Sequence, residues 1–303
     1  MHLGKASNDS GALAALCLLL TATLWGVAWY PLRLLAELGV NGIYSTLLVY
    51  GSASISFLWL LPQCKNSFVS DPWCFALLAL CSGWANLAFI LAVVEGQVLR
   101  AQLLFYLSPI WATLGAWLWL RERVSARAWA TLAVAMVGAL TLLWDPSLKT
   151  WLPRNVSDFL ALSAGLAFAI SNLCLRRLAH KNEHSKILAS WFGVTLLSIG
   201  GLWVNTDPVP LLPLWQWLCA AVIGMGMVIV TSVCVVYGFS QLPVHRGAVI
   251  MLFEIFVGAL SSMLLTQERM QANEWMGGLL IIFAAFLSTR QHVKQQEYNM
   301  QNT

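Results

Sequence analysis

Charge is what this 303-residue sequence has least of. Lysine, arginine, aspartate and glutamate make up 10% of it, against 59% hydrophobic residues. A soluble domain carries about 25% charged residues. Here 17 basic and 13 acidic side chains would have to coat two water-exposed cores. They cannot, so the bilayer is the solvent for most of the chain. A secreted or cytosolic enzyme, a nucleic-acid module and a disordered tail protein are excluded. No CxxC pair occurs among the seven scattered cysteines, which removes a zinc site or disulfide framework and leaves small buried hydrophobes. The five histidines (His2, His180, His184, His245 and His292) fall at ends and in loops, so none can face a serine at depth as an intramembrane protease requires. A divalent-metal transferase needs clustered acids, and no aspartate pair at helical spacing lies in an apolar run. The sequence also lacks a GxxxxGK[ST] loop, a selectivity filter and a ring of like charges. An enzyme, an ATP-driven pump and a channel are therefore disfavoured, and no metal or cofactor is expected.

Long apolar runs are abundant. About 20 apolar residues span a bilayer as a helix, and ten such runs occur near 11–31, 41–61, 72–95, 98–120, 127–144, 156–178, 186–204, 214–240, 244–266 and 273–290. Turn chemistry separates them, as at Asp71-Pro72, Asp145-Pro146 and Asp207-Pro208. With the N-terminus in the cytoplasm, 12 of the 17 basic residues fall on the inside and 5 outside. Basic residues concentrate on the cytoplasmic side, so both termini are expected there. Most of the 16 tryptophans sit near span ends, as an aromatic belt does. Trp25, Trp84 and Trp111 lie well inside.

The sequence repeats itself 146 residues on. VLRAQLLFYLSPIWATLGAWLWLRERVSARAWATL at 98–132 aligns with VHRGAVIMLFEIFVGALSSMLLTQERMQANEWMGG at 244–278. In one register Arg100 matches Arg246, Glu122-Arg123 matches Glu268-Arg269, and Trp129 matches Trp275. Five spans per repeat is an odd number, so the second repeat would cross upside down. Inverted repeats about a midplane cavity are the architecture of alternating-access carriers. The expected divisions are 1–145, 150–290 and a polar cytoplasmic tail at 291–303.

The segment LLFYLSPIWATLGAWLWLRERVSARAWATLAVAMVGALTLL resembles the end of an EamA repeat of the drug/metabolite transporter superfamily. The proline-centred helix, the Glu-Arg turn and the glycine-containing helix that follows carry the likeness. The second copy is similar but has Ile255 where Pro109 stands. The resemblance implies an all-α integral membrane protein of ten transmembrane helices in two tandem repeats, a bacterial inner-membrane location and export or exchange of small metabolites. It also places helix 1 against the cavity, which makes Trp25 a candidate lining residue.

Glu254 is the sharpest candidate. It lies near mid-bilayer, where a charged side chain is costly. Gly247, Met251, Glu254, Gly258 and Ser261 share a helical stripe. The repeat pairs it with Ala101, Phe105, Ser108, Ala112 and Gly115. A carboxyl group in that position can exchange a proton, hold a substrate ammonium, or simply pack helices. Arg100 and Arg246 begin the two equivalent helices and are candidate gates, with Glu95 a partner for Arg100; the alternative is snorkelling to head groups. Asn86, Gln102, Tyr106, Asn172 and Tyr237 are candidate substrate ligands or interhelical hydrogen bonds. The two Glu-Arg turns read as structural, with the glutamate bonding backbone at the next helix start. One acid with flanking arginines suits an amino acid or similar zwitterion rather than an organic anion or nucleotide-type metabolite. Such a carrier, monomer or homodimer, would run on exchange or a proton gradient.

Overall fold

A computed structural model describes residues 2–95, 98–144, 153–204, 212–265 and 271–301, with side chains over 11–93, 100–144, 153–203, 212–265 and 271–288. These residues are helical almost throughout. The elements are α1 (His2–Glu37), α2 (Gly42–Ser56), a 3₁₀ turn (Leu58–Leu60), α3 (Leu61–Ser70), α4 (Pro72–Glu95), α5 (Val98–Phe105), α6 (Ser108–Leu118) and α7 (Ala126–Leu142), then α8 (Val156–Arg177), α9 (Glu183–Val204), α10 (Leu214–Gln241), α11 (Val244–Met251), α12 (Phe253–Leu265) and α13 (Ala272–Gln301).

Local chemistry sets the boundaries. Asn41, Ser125 and Asn155 accept hydrogen bonds from Tyr44, Ala128 and Asp158 backbone N–H groups, capping α2, α7 and α8. Gly39 adopts φ 85° just past α1, a left-handed conformation that costs glycine nothing. Pro243 immediately precedes α11. Asp71 sits between α3 and α4, where Lys181 Nζ approaches its Oδ2 at 2.7 Å. Hydrogen bonding to that ammonium holds the Asp71 carboxyl below the ordinary carboxylate range.

Among the described residues, seven helical stretches are long and apolar enough to cross a membrane: Gly11–Glu37, Pro72–Val93, Arg100–Leu118, Val156–Arg177, Glu183–Trp203, Leu214–Gln241 and Val244–Leu265. The pair Gly42–Ser56 and Leu58–Ser70, bent by 45°, makes an eighth candidate, and Ala126–Leu142 and Ala272–Ser288 are shorter apolar helices. Of the ten spans expected, the structure interrupts the second, fourth and ninth, as α2 with α3, α5 with α6 and α11 with α12. Outward side chains such as Val69, Trp73, Trp203 and Leu264 are exposed and apolar, a surface suited to lipid.

The repeat survives in the fold. α5 and α11 begin 146 residues apart and end 146 residues apart, and the starts of α7 and α13 keep the same interval. Packing partners repeat too. α4 lies on α8 and α9, as α10 lies on α1 and α2; α5 and α6 lie on α8, as α11 and α12 lie on α1. Other contacts join the two repeats: the equivalent helices α2 with α9 and α7 with α13, and the two interrupted helices through α6 on α11.

Equivalent helices run in opposite directions. Asn273 Nδ2, at the start of α13, donates to the carbonyls of Thr141 and Trp144 at the end of α7. Ser54 meets Thr195 at 3.2 Å, while Phe57, just past the end of α2, packs edge to face against Trp191, earlier in α9. Glu122, just past α6, reaches the start of α11, while Tyr106, before α6, reaches Glu254 in α12. Close approaches are made through glycine, because a side chain would hold the backbones apart. A Cβ on Gly83 would meet the Gly193 carbonyl; one on Gly277 would lie 2.5 Å from the Gly138 carbonyl oxygen.

Candidate functional site

The two interrupted helices build the site. In the first, Pro109 has no N–H to give and fixes its own φ, so the helix stops after Phe105 and restarts at Ser108. The second has Ile255 at the equivalent place and is interrupted at the same register. There the backbone tightens into three-residue bonds, Leu252 N–H to Val249 O at 3.2 Å and Ile255 N–H to Leu252 O at 3.1 Å. The consequence for Glu254 is direct. It falls in the first turn of α12, where unpaired N–H groups and the helix dipole favour negative charge. Tyr106 supplies a hydroxyl to the carboxylate from across the repeat interface.

These groups border a narrow, partly open pocket with about 20 Å³ of free space in this conformation, room for about one water molecule. α5, α6 and the turn between them contribute Phe105, Tyr106, Ser108, Pro109 and Ala112; α8 contributes Phe168, Ala169 and Asn172. Ala248, Met251, Leu252 and Glu254 close the opposite wall. Members of both sequence stripes therefore face one space. Among the described residues its lining holds one carboxylate and no lysine, arginine or histidine. Among the described residues no group of three His, Cys, Asp or Glu side chains is placed to hold a metal.

Other candidates lie elsewhere. Trp25 stands behind the wall, its ring 6.1 Å from that of Phe168. Its neighbour Gly26 lets α1 lie against α12, since a Cβ there would come within 2.8 Å of the Glu254 carbonyl. Asn86 donates its amide to Ser82 O in its own helix at 3.0 Å. Gln102 and Tyr237 are partly buried and outside the lining. The Glu95 side chain lies outside the described residues. Trp84 donates to Ser163 Oγ, and Trp111 packs against the main core.

Both candidate gate arginines are engaged away from the cavity. Arg100 Nε contacts Asp158 Oδ1 of α8 at 2.7 Å, with side chains 12% and 3% exposed. Asp158 also accepts from the Arg154 backbone. At the other end of the molecule Glu122 gathers the second cluster. Its Oε1 takes Arg176 Nε at 3.0 Å, its Oε2 takes the Val244 N–H at 3.3 Å, and His245 Nδ1 stands 3.8 Å away. Arg246 is buried within electrostatic reach of the same carboxylate. Ser240, in the last turn of α10, accepts Arg176 at its carbonyl and the buried Lys186 at its hydroxyl. Helix C-termini favour cations there. The Glu122 turn thus bonds the start of a helix in the other repeat rather than the next helix in sequence. Glu268 lies outside the described residues.

Breaking a buried ion pair by removing one partner costs about 3–5 kcal/mol. Asp158→Ala should accordingly lower the melting temperature in detergent sharply, and adding Arg100→Met should recover part of the loss. A single mutant that melts like wild type would show the pair to be dispensable for stability.

Two like sets of helices, antiparallel and meeting at a carboxylate-bearing pocket inside an apolar exterior, are the build of a multi-pass membrane transporter. The chain belongs to the EamA-like transporter family, whose signature matches twice, over residues 12–144 and 155–290. A riboflavin transporter of Vibrio cholerae is 24% identical over 159 residues, 48% of this chain and 50% of that protein. Competence protein ComA of Neisseria gonorrhoeae is 27% identical over 245 residues, 75% of this chain and 31% of that one. The chain thus spans half or less of the curated relatives it matches. A crystal structure with 16% sequence identity superposes with a TM-score of 0.74, covering 92% of this chain and 98% of the other, which establishes the shared fold.

Proposed function

We propose that this transporter is a secondary carrier that moves a small ammonium-bearing metabolite, an amine or an amino-acid-like zwitterion, outward across the inner membrane by alternating access. Glu254 carries the reading: a carboxylate at the crossing of two antiparallel interrupted helices, facing a cavity whose described lining contains no cationic side chain. Discontinuous helices at a repeat interface are where such carriers bind cargo. An organic anion would face the Glu254 carboxylate there with no cationic side chain in the described lining to offset it. A zwitterion's carboxylate would be held by neutral donors such as Asn172 and Ser108, because Arg100 and Arg246 are engaged elsewhere.

In this reading the ten helices or broken pairs each cross once, the halves divide at 1–145 and 150–290, and the basic residues hold both termini and the 291–303 tail in the cytoplasm. Arg100 and Arg246 then stand at opposite mouths and gate through Asp158 and the Glu122 cluster. Transport runs on exchange or a proton gradient.

Counterflow in proteoliposomes tests it, with labelled amines and amino acids, with and without a pH gradient. Riboflavin, the cargo named for one relative, belongs in the panel. Saturable counterflow of an ammonium compound is expected. Flux confined to anions or uncharged compounds would sink the reading.

A further inference from the structure

The cavity is walled by rings on one side. Phe105 and Phe168 stand 5.5 Å apart by centroid, and Tyr106 stands 5.4 Å from Phe105. Two more rings back this wall, Trp25 at 6.1 Å from Phe168 and Phe89 at 4.8 Å from Phe105. The rings come from α1, α4, α5, the turn after it, and α8, so they converge only in the folded protein. Fully buried side chains elsewhere in the core are mostly aliphatic. The facing wall is aliphatic, with Ala248, Met251 and Leu252 beside the carboxylate of Glu254.

A wall of π surface with a single carboxylate can discriminate among amines. An aliphatic amine satisfies the carboxylate and gains only burial. An amine with an aromatic ring adds ring–ring contacts, each worth about two- to tenfold in affinity beyond the buried area. We propose that the cavity selects aromatic amines, with the ammonium at Glu254 and the ring against Phe105 and Phe168. This inference rests on the reading of Glu254 as the ammonium site.

The test compares 2-phenylethylamine with 2-cyclohexylethylamine, which match in charge position and differ in the π system. Calorimetric binding to the purified full chain in detergent avoids passive leak of amines through lipid. Wild type should bind the phenyl compound roughly five- to tenfold more tightly. Phe168→Leu and Phe105→Leu should bring that ratio close to one, while Glu254→Gln should weaken both amines alike. Equal wild-type affinities would overturn the aromatic preference and leave the ammonium reading standing. Failure of either amine to bind would sink both. The wild-type ratio needs no variant, so a mutant that fails to fold does not blunt the test.

Discussion

Glu254→Gln is expected to lose at least about tenfold in ammonium-compound counterflow while melting no lower than wild type. The two readouts move apart for one physical reason. Glutamine keeps the shape of the side chain and a carbonyl that accepts the Tyr106 hydroxyl. It removes the charge, which is costly at mid-bilayer, so the folded protein gains or breaks even. The substrate loses its counter-charge, and a hydrogen bond to a charged group contributes about 1.5–3 kcal/mol. That corresponds to roughly 10- to 150-fold in binding. Glu254→Asp retains the charge but withdraws it by one methylene from Tyr106, and should fall between the two. A helix-packing glutamate would behave in the opposite way, with transport intact and the melting temperature reduced. Proton coupling through this carboxyl makes a further distinction: any pH dependence of counterflow that passes through it would be missing from the glutamine variant.

Much of this was legible in the sequence because membrane helices obey a strong constraint. Every backbone polar group must be satisfied within the bilayer, so apolar runs of about 20 residues mark helices reliably. The register of the repeat also carried structural information. The pairing of Glu254 with Ser108 put two stripes together before any contact was known, and Met251, Glu254, Phe105, Ser108 and Ala112 do share one cavity. What could not be read is non-local or unsigned. Asp158 lies 58 residues from Arg100 and carries no mark of its partner. Phe168 is one apolar residue among many in α8; only the fold shows that it stands on the cavity wall beside Phe105. The interruption before Phe253 has no proline to announce it. Asn86 looked available for cargo, but its amide is taken up by the carbonyl of Ser82 one turn earlier, a choice that helix periodicity permits and does not reveal.

Gly193→Val should abolish the folded protein, and Gly200→Val on the same helix should leave it nearly unchanged. Both glycines lie in α9, so helix propensity is the same argument for each, and either substitution would improve it. Their surroundings differ. A Cβ on Gly193 would overlap the carbonyl of Ala79 in α4, and the clash is with backbone atoms that cannot rotate away. From the other side, a Cβ on Gly83 would meet the Gly193 carbonyl, so the two helices touch backbone to backbone. Nothing lies within 4 Å of a Cβ on Gly200. In a bilayer the association of helices depends on such close packing, because lipid tails are as apolar as leucine. Overpacking a well-filled contact typically costs about 1–3 kcal/mol, and more where the backbone must move. Separating α4 from α9 also disturbs α8, which packs on α4 and bears Phe168 and Asn172 on the cavity wall. Size-exclusion profiles and melting curves in detergent should show Gly193→Val aggregated or melting far below wild type. A Gly193→Val protein as monodisperse and heat-stable as Gly200→Val would mean that α4 and α9 do not cross this closely. The placement of α8 against the cavity would then need to be drawn again.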